Sequence, residues 1–367
     1  MIKKIQQDFS YYSHEFKDNY RKGVHRLRTI LASRAQAQAF VSNVGGTAVV
    51  LGYEPETPDK NAQELYALLA ASPYIDDAVQ TFLGSIYEAG AESQDAMYSD
   101  SARCLEILPD PVMSRAAGAG TVSAGKWIAT LAGQSCNLYR DMNAVAASDI
   151  AMTAVAASET AMEAVISGTI ALNAVAASKT AMTAVAANET AMAAVAASRV
   201  AMSAIIGNST ALNAVVTSSV AMAAIIGNST ALNAVVSSST AMAAVAASQT
   251  AMAAVAASQT AMAAIAASST ALSAIAASTT ALDAIYAKKK RMSGASASLS
   301  GKFIILQISN DNAFDTSRYG YATLSDGSKP KWDSYKDKYA YFKQYKKIAT
   351  YMKNDTDSND WIDYFQC

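Results

Sequence analysis

Hydrophobic and polar positions in the middle of the chain repeat with a period of ten residues. From residue 142 to residue 286 the sequence AMTAVAASET and its variants recur without insertion or deletion. One column holds Met or Leu, the column three residues later holds Val or Ile, and the residue directly before that second column is always alanine. Self-similarity at a fixed period indicates a repeat architecture, and we assign residues 142–291 to one decapeptide-repeat shaft.

A period of ten favours extended chain over an uninterrupted helix. Ten residues at 100° per residue turn about 1000°, so an apolar stripe would wind around a continuous helix. In a β-strand, successive side chains point to opposite faces, so residues ten positions apart point to the same face. Pairs such as Val215-Val216 and bend residues such as Gly207-Asn208 indicate short strands and tight bends. We therefore predict a β-solenoid or triple β-helix shaft. An α-helical shaft is the alternative, because alanine and methionine favour helix.

The residues before the repeat predict a mainly helical domain over residues 1–141. Helical stretches are expected over residues 9–40, 61–71 and 75–108, the last ending before Pro109-Asp110-Pro111. His14 and His25 are the only histidines, and neither has a cysteine or a carboxylate cluster beside it. We predict no catalytic residues in this domain.

The residues after the repeat predict a small α+β domain over residues 292–367. Strands are expected over residues 303–308 and 319–324, with a turn at Asp326-Gly327. Aromatic residues, nearly absent from the repeat, are concentrated here. Their rings can stack on sugar C–H surfaces. The candidate receptor-binding residues are Tyr319, Tyr321, Trp332, Tyr335 and Trp361.

Charge and composition exclude several classes of partner and cofactor. A net charge of −1 gives no electrostatic reason to expect nucleic acid, and we interpret the basic cluster at residues 288–291 as a solvated collar. No run of eighteen or more strongly apolar residues occurs, so no membrane insertion is expected. The cysteines are widely separated, and Asp360 occupies the position where a calcium loop needs glycine. We expect no metal and no cofactor.

The repeats AMTAVAASET and ALNAVAASKT, with an aromatic C-terminal segment ending in WIDYFQC, resemble tail fibre proteins of tailed bacteriophages. The resemblance implies an N-terminal domain held by other tail or baseplate proteins, a trimeric shaft, and a tip that binds a host surface polysaccharide or protein. It also implies a place in the virion after synthesis in the host cytoplasm. The segment IGNSTAL is similar to head repeats of trimeric autotransporter adhesins, so a bacterial surface adhesin is an alternative; such adhesins need a signal peptide, and none is visible.

Three classes of function remain after the resemblance is considered. A structural virion fibre, not an enzyme, fits best, because a uniform repeat lacks the diversity that forms pockets. A tip depolymerase would need two carboxylates roughly 5–10 Å apart, and the candidates for that role are Asp311, Asp315, Asp326 and Asp333. An ice-binding solenoid would use the threonine column, but Ile150, Ile170, Val200 and Val220 interrupt that column.

The β-solenoid prediction also leads to a predicted homotrimer. Alanine columns bury little area, at about 25 cal/mol per Å², so a ten-residue coil of one chain would enclose a thin core. Three chains that share one axis would bury much more. We expect equilibrium sedimentation of the full chain to give the mass of three chains, and a mass equal to one chain would contradict the trimer.

Overall fold

A computed structural model describes residues 28–41, 72, 74–76, 94–293, 297–309, 319–324, 327–329, 331–333, 347–354 and 361–366. The chain divides into two compact units, Met1–Ala204 and Ile205–Cys367, so the boundary lies inside the repeats. Each unit contains consecutive repeat helices, and the second unit also contains a β-sheet.

Helices make up most of the described residues before the repeat. They are α1 (Arg34–Val41), α2 (Gln94–Tyr98), α3 (Ser101–Ile107), α4 (Pro111–Ala117) and α5 (Thr121–Leu131). The prediction of one helix over residues 75–108 is wrong, because the helix is interrupted before Ser101. There Asp100 starts α3 by accepting hydrogen bonds from the N–H groups of Ala102 and Arg103 at 3.0 and 3.3 Å. The helix predicted over residues 61–71 lies outside the described residues.

The repeats form short α-helices, and residues 142–286, all of them described, contain no strand. Each full repeat supplies nine helical residues and one non-helical residue. The β-solenoid and triple β-helix predictions are therefore wrong. The helical alternative is correct for the secondary structure, although the shaft is not one long helix. The helices are α6 (Met142–Ala147), α7 (Asp149–Ala157), α8 (Glu159–Ser167), α9 (Thr169–Ala177), α10 (Lys179–Ala187), α11 (Glu189–Ala197), α12 (Arg199–Gly207), α13 (Ser209–Thr217), α14 (Ser219–Gly227), α15 (Ser229–Ser237), α16 (Ser239–Ala247), α17 (Gln249–Ala257), α18 (Gln259–Ala267), α19 (Ser269–Ala277) and α20 (Thr279–Tyr286).

The non-helical residue of each repeat ends one helix and starts the next. At Ser158 the backbone is extended, and its N–H donates to the carbonyl of Val155 at 3.1 Å. The Ser158 hydroxyl accepts a hydrogen bond from the N–H of Ala161 at 3.2 Å, as an N-cap does. The break resets the helical phase in every repeat, so the winding apolar stripe of a continuous helix never arises.

The same break keeps every repeat helix short. Six pairs of consecutive helices are bent by 94–101° where they meet. Among the described residues, no single helix is long and apolar enough to cross a membrane, and only these bent pairs reach the necessary length and apolar composition.

The apolar columns lie on one face of each nine-residue helix. In α7 the buried residues are Ala151, Met152, Val155 and Ala156, whose spacings of three and four residues bring them together on a helix. The first of these columns is alanine with 0% exposure in every repeat from Ala151 to Ala281. A methyl group at this position allows neighbouring helices to approach closely, while Met and Val fill the space between them.

Within each unit, helices come back into contact at the third following repeat. In the first unit α7 packs on α10, and in the second unit α16 packs on α19. Cap serines join these layers: the Ser178 hydroxyl donates to the carbonyl of Ala146 at 2.5 Å, and the Ser268 hydroxyl donates to that of Val236 at 2.6 Å. The acceptors lie in the last turns of α6 and α15, where carbonyls have no donor within their own helix.

Helix α5 continues this packing before the first repeat. It packs against α6, α8 and α9, as a preceding repeat helix would. The carbonyl of Leu131 in α5 accepts a hydrogen bond from the Ser158 hydroxyl at 3.0 Å. Gly125 allows close contact, since a Cβ there would lie 2.5 Å from the backbone nitrogen of Met142. The non-repeat helix therefore covers the apolar end of the repeat core, as terminal caps do in other repeat proteins.

An antiparallel sheet follows the last repeat helix. Its strands run in the order β1-β6-β2-β5-β3-β4. The strands predicted over residues 303–308 and 319–324 are confirmed within β2 and β3. The described part of residues 292–367 lies in this sheet and one turn, where Gly327 has a φ of 81°. The strands are β1 (Lys290–Ser293), β2 (Ala297–Ser309), β3 (Tyr319–Leu324), β4 (Lys331–Asp333), β5 (Lys347–Asn354) and β6 (Trp361–Gln366).

One face of the sheet has its own hydrophobic core. The Phe303 and Tyr364 rings pack edge to face with centroids 5.4 Å apart, and burial raises the pKa of the Tyr364 hydroxyl. Met292 also belongs to this core, although it falls in register with the methionine column of the repeats. The buried members are Met292, Phe303, Ile305, Ala322, Leu324, Ala349, Met352, Ile362 and Tyr364.

Replacing a cap serine should remove two stabilising contacts at once. In the Ser268→Ala variant, the N–H of Ala271 and the carbonyl of Val236 each lose a hydrogen-bond partner. We expect a loss of about 1–2 kcal/mol in unfolding free energy, measured by urea denaturation followed by circular dichroism.

The exposed Ser269→Ala variant, one residue further on, is the matched control and should unfold at the parent midpoint. Equal midpoints for the two variants would contradict the assigned role of the cap hydroxyl.

Candidate functional site: the C-terminal sheet and its junction with the repeats

The predicted receptor-binding aromatics lie in separate parts of the sheet. Tyr319 and Tyr321 lie in β3 and Trp332 in the neighbouring edge strand β4. Trp361 lies in β6, and strands β2 and β5 stand between β6 and β3. Tyr335 falls outside the described residues. The structure therefore places three of the five predicted residues on adjacent strands and separates the fourth from them.

Trp361 packs against a charged side chain at the junction with the repeats. The guanidinium carbon of Arg291 lies 3.7 Å from the centroid of the Trp361 ring. An arginine at this distance over an indole makes a favourable cation–π contact. Arg291 therefore covers part of the Trp361 ring, which is half-buried, and its receptor-binding role stays a prediction.

The same arginine forms an ion pair with a buried carboxylate. Asp363 in β6 has 0% exposure, and its two carboxylate oxygens accept hydrogen bonds from Nε and Nη2 of Arg291 at 2.7 and 2.9 Å. The hydrogen bond to Asp363 raises the pKa of Arg291. This bidentate geometry satisfies a charge that would otherwise be costly to bury.

Two residues from the end of the repeats also approach Asp363. The Tyr286 hydroxyl, at the end of α20, donates to Oδ2 of Asp363 at 3.5 Å, and Nζ of Lys289 lies 3.9 Å from the same oxygen. The Lys289 ammonium also lies 3.8 Å from the centroid of the Tyr286 ring. The carboxylate of Asp363 thus joins the last repeat helix to the sheet.

The interpretation of residues 288–291 as a solvated collar is wrong for Arg291, which pairs with Asp363 across β1 and β6. Sequence reasoning missed Asp363 because this aspartate is distant in sequence from its cationic partners. One local signal existed: Asp363 stands between Ile362 and Tyr364 in a short apolar segment, where a charged side chain needs a partner if the strand is buried.

The exposed surface of the later repeats carries no titratable side chain. Residues 200–282 contain no Asp, Glu, Lys, Arg or His. Their exposed positions hold Ala, Ser, Thr, Asn, Gln and Gly, with Val200 as the exception. Two apolar residues in the threonine column are strongly exposed, Ile150 at 73% and Val200 at 64%. This surface offers no acid, base or nucleophile for catalysis beyond weakly reactive hydroxyl groups.

Two free cysteines are buried beside the first repeats. Burial raises the pKa of Cys104 to about 12, and burial also raises the pKa of Cys136. A raised pKa keeps a thiol protonated and unreactive near neutral pH. Both residues belong to the core that packs around α2 and α5.

The carboxylates proposed for a depolymerase are not brought together in the described residues. Asp333 lies in β4, whereas Asp311, Asp315 and Asp326 fall outside the part of the chain that the structure describes. Within the described residues, no group of three His, Cys, Asp or Glu side chains is placed to hold a metal ion.

No protein-family profile matches the chain, and no curated protein sequence matches it either.

Removing the arginine at the junction should destabilise the sheet. The Arg291→Met variant leaves Asp363 buried with only Lys289 as a nearby cation. We expect a loss of about 1–3 kcal/mol in unfolding free energy, below the cost for a fully buried pair because Arg291 is half exposed. The measurement is urea denaturation followed by tryptophan fluorescence.

The control for this experiment is Lys288→Met, which changes an exposed neighbouring lysine with no ion pair among the described residues. It should unfold at the parent midpoint. If Arg291→Met also unfolds at that midpoint, the ion pair does not stabilise the junction.

Proposed function

We propose that this protein is a structural virion fibre whose helical repeats act as a spacer and whose C-terminal sheet domain binds the host cell surface. The resemblance of the repeats to phage tail fibre proteins supports this proposal, as does the order of a helical N-terminal region, a repeat and a sheet. The N-terminal region would contact other tail or baseplate proteins.

The chemical uniformity of the repeats is the observation that carries the proposal. Nearly every repeat has a Ser or Asn cap, every repeat buries its Ala, Met or Leu, and Val or Ile columns, and residues 200–282 have no titratable group. Such a surface has few groups that could recognise a substrate or catalyse a reaction on it. Repetition instead sets length, because each repeat contacts only nearby repeats and further copies can be added.

The repeat coil changes the physical basis of the proposed trimer. The notion of a thin ten-residue coil led to three chains sharing one core. In the structure, the Met and Val columns are buried by helices of the same chain, as at Met242 and Val245. A homotrimer would therefore be held together by exposed positions of the repeats or by the terminal domains. We retain it as part of the proposal.

Adhesion of the purified protein tests the proposed function. Labelled full chain, incubated with a panel of bacterial strains, should bind a subset of them. A truncated chain lacking residues 290–367 should lose this binding while keeping the helical circular dichroism of the repeats.

The control variant lacks residues 209–238, three whole repeats that start after the cap Asn208 and include the cap Ser238, and it should bind as the full chain does. Binding that survives removal of the sheet, or binding to no strain, would contradict the proposal. Release of oligosaccharides from bound cells would support the depolymerase alternative instead.

A further inference from the structure

An open cleft lies where the last repeats meet the sheet, entirely within the second unit. Its volume is about 620 Å³, within the range of small-molecule sites. The apolar part of its lining includes Ala256, Met262 and Phe365, and the polar part includes Ser258 and Gln259 from the repeats and Lys288, Lys290 and Gln366 from the junction. Three segments distant in sequence therefore build the cleft.

The cleft carries uncompensated positive charge. Of the four consecutive basic residues, Arg291 and Lys289 face the carboxylate of Asp363. Lys288 and Lys290 are exposed, line the cleft, and form no ion pair among the described residues. Nζ of Lys290 donates a hydrogen bond to the neutral amide oxygen of Gln366 at 2.8 Å, which positions its charge without cancelling it.

A helix N-terminus adds to this charge. The nine-residue helix α18 begins at Gln259, with Ser258 as its cap. The Ser258 hydroxyl accepts only from the N–H of Ala261, so within the described residues the N–H groups of Gln259 and Thr260 have no acceptor. Backbone N–H groups at the start of a helix are suited to bind an anionic group.

The neutral polar groups of the cleft favour an anion that is attached to a sugar. The amides of Gln259 and Gln366 and the hydroxyl of Ser258 can both donate and accept hydrogen bonds, as sugar hydroxyl groups require. The apolar lining suits the C–H faces of a sugar ring. A long nucleic acid would need a wider basic surface. Here the two lysines stand next to a long stretch of repeats, residues 200–282, that carries no charge.

A second cleft of about 720 Å³ adjoins the first and shares Ala256 and Lys288 with it. Its polar lining comprises Gln249, Thr280, Asp283 and Lys288. Asp283 is exposed and lowers the net positive charge on that side of Lys288. The anionic group is therefore expected in the first cleft, beside Lys290 and the start of α18.

We propose that the first cleft binds an anionic sugar unit, a pyranose bearing a carboxylate or a phosphate ester, and that this is where the protein holds a host surface polysaccharide. The second part of this inference rests on the proposed function. The site differs from the aromatic residues predicted from the sequence, since Tyr319, Tyr321 and Trp332 lie in strands β3 and β4, away from β1 and β6.

Saturation-transfer NMR on the full chain tests binding directly. The probes are glucuronate and glucose 1-phosphate, with glucose as the neutral control, and the two acids distinguish a carboxylate from a phosphate ester. We expect at least one acid to bind more tightly than glucose. Affinity should fall about tenfold in the Lys288→Gln/Lys290→Gln variant, since two exposed cations are lost.

The matched control is Lys329→Gln, an exposed lysine in the turn that follows β3, which should bind as the parent does. All variants should share the parent unfolding midpoint. The cleft proposal is overturned if neither acid binds, if glucose binds equally well, or if the double variant binds unchanged. Binding of inorganic phosphate without binding of either sugar would also overturn it.

Adhesion separates this inference from the proposed function. If the double variant adheres to bacteria as well as the parent does, the cleft is not the receptor site, although the protein still binds hosts. If the parent adheres to no strain but binds a sugar acid, the proposed function fails and the anionic-sugar site stands.

Discussion

The structure of the repeats depends on one capping residue that serves two helices. Its N–H satisfies a carbonyl at the end of the preceding helix, and its side chain satisfies an N–H at the start of the next. Helices of nine residues are too short to be stable in isolation. They persist because each begins in a fixed direction and buries the same face. Because a cap restarts the helix in each repeat, a ten-residue period that would not suit a continuous helix still gives a series of similar amphipathic helices.

The caps also connect layers of helices that are distant in sequence. A serine hydroxyl accepts from its own helix and donates to a carbonyl three repeats earlier, as Ser178 and Ser268 do. Gly168 is an instructive exception. It has no side chain to cap α9, and the backbone of Gly118 lies beside it, since a Cβ on Gly118 would be 3.6 Å from the Cα of Gly168. There the backbone of Gly118, just after α4, packs against the residue that lacks a capping side chain.

The chain separates uncharged from charged surface along its length. The earlier repeats carry scattered charges, residues 200–282 carry none, and the basic residues return together where the sheet begins. Two of these cations, Lys289 and Arg291, lie against buried Asp363, which also accepts a hydrogen bond from Tyr286 at the end of the last repeat helix. The other two face open space beside a helix N-terminus. One short segment therefore contains both the cations that stabilise Asp363 and the two lysines for which we propose a recognition role.

Several features of this protein were determined by the sequence alone. The repeat and its limits, the helical character of the N-terminal region, the strands within β2 and β3, and the turn at Gly327 follow from local patterns. The helical repeat was also encoded locally, in Ser or Asn at every tenth position except Gly168, followed by apolar residues at helical spacing. The period of ten obscured it, because a period excludes helix only if the helix is continuous.

Other features were decided only by the tertiary structure. The pairing of Arg291 with Asp363, the packing of helices three repeats apart within each unit, and the cleft between Ser258 and Lys290 join residues that no local pattern links. The separation of Trp361 from Tyr319 also depends on strand order. Such features arise from burial and electrostatics between distant segments, and a linear pattern records the segments without recording which of them meet.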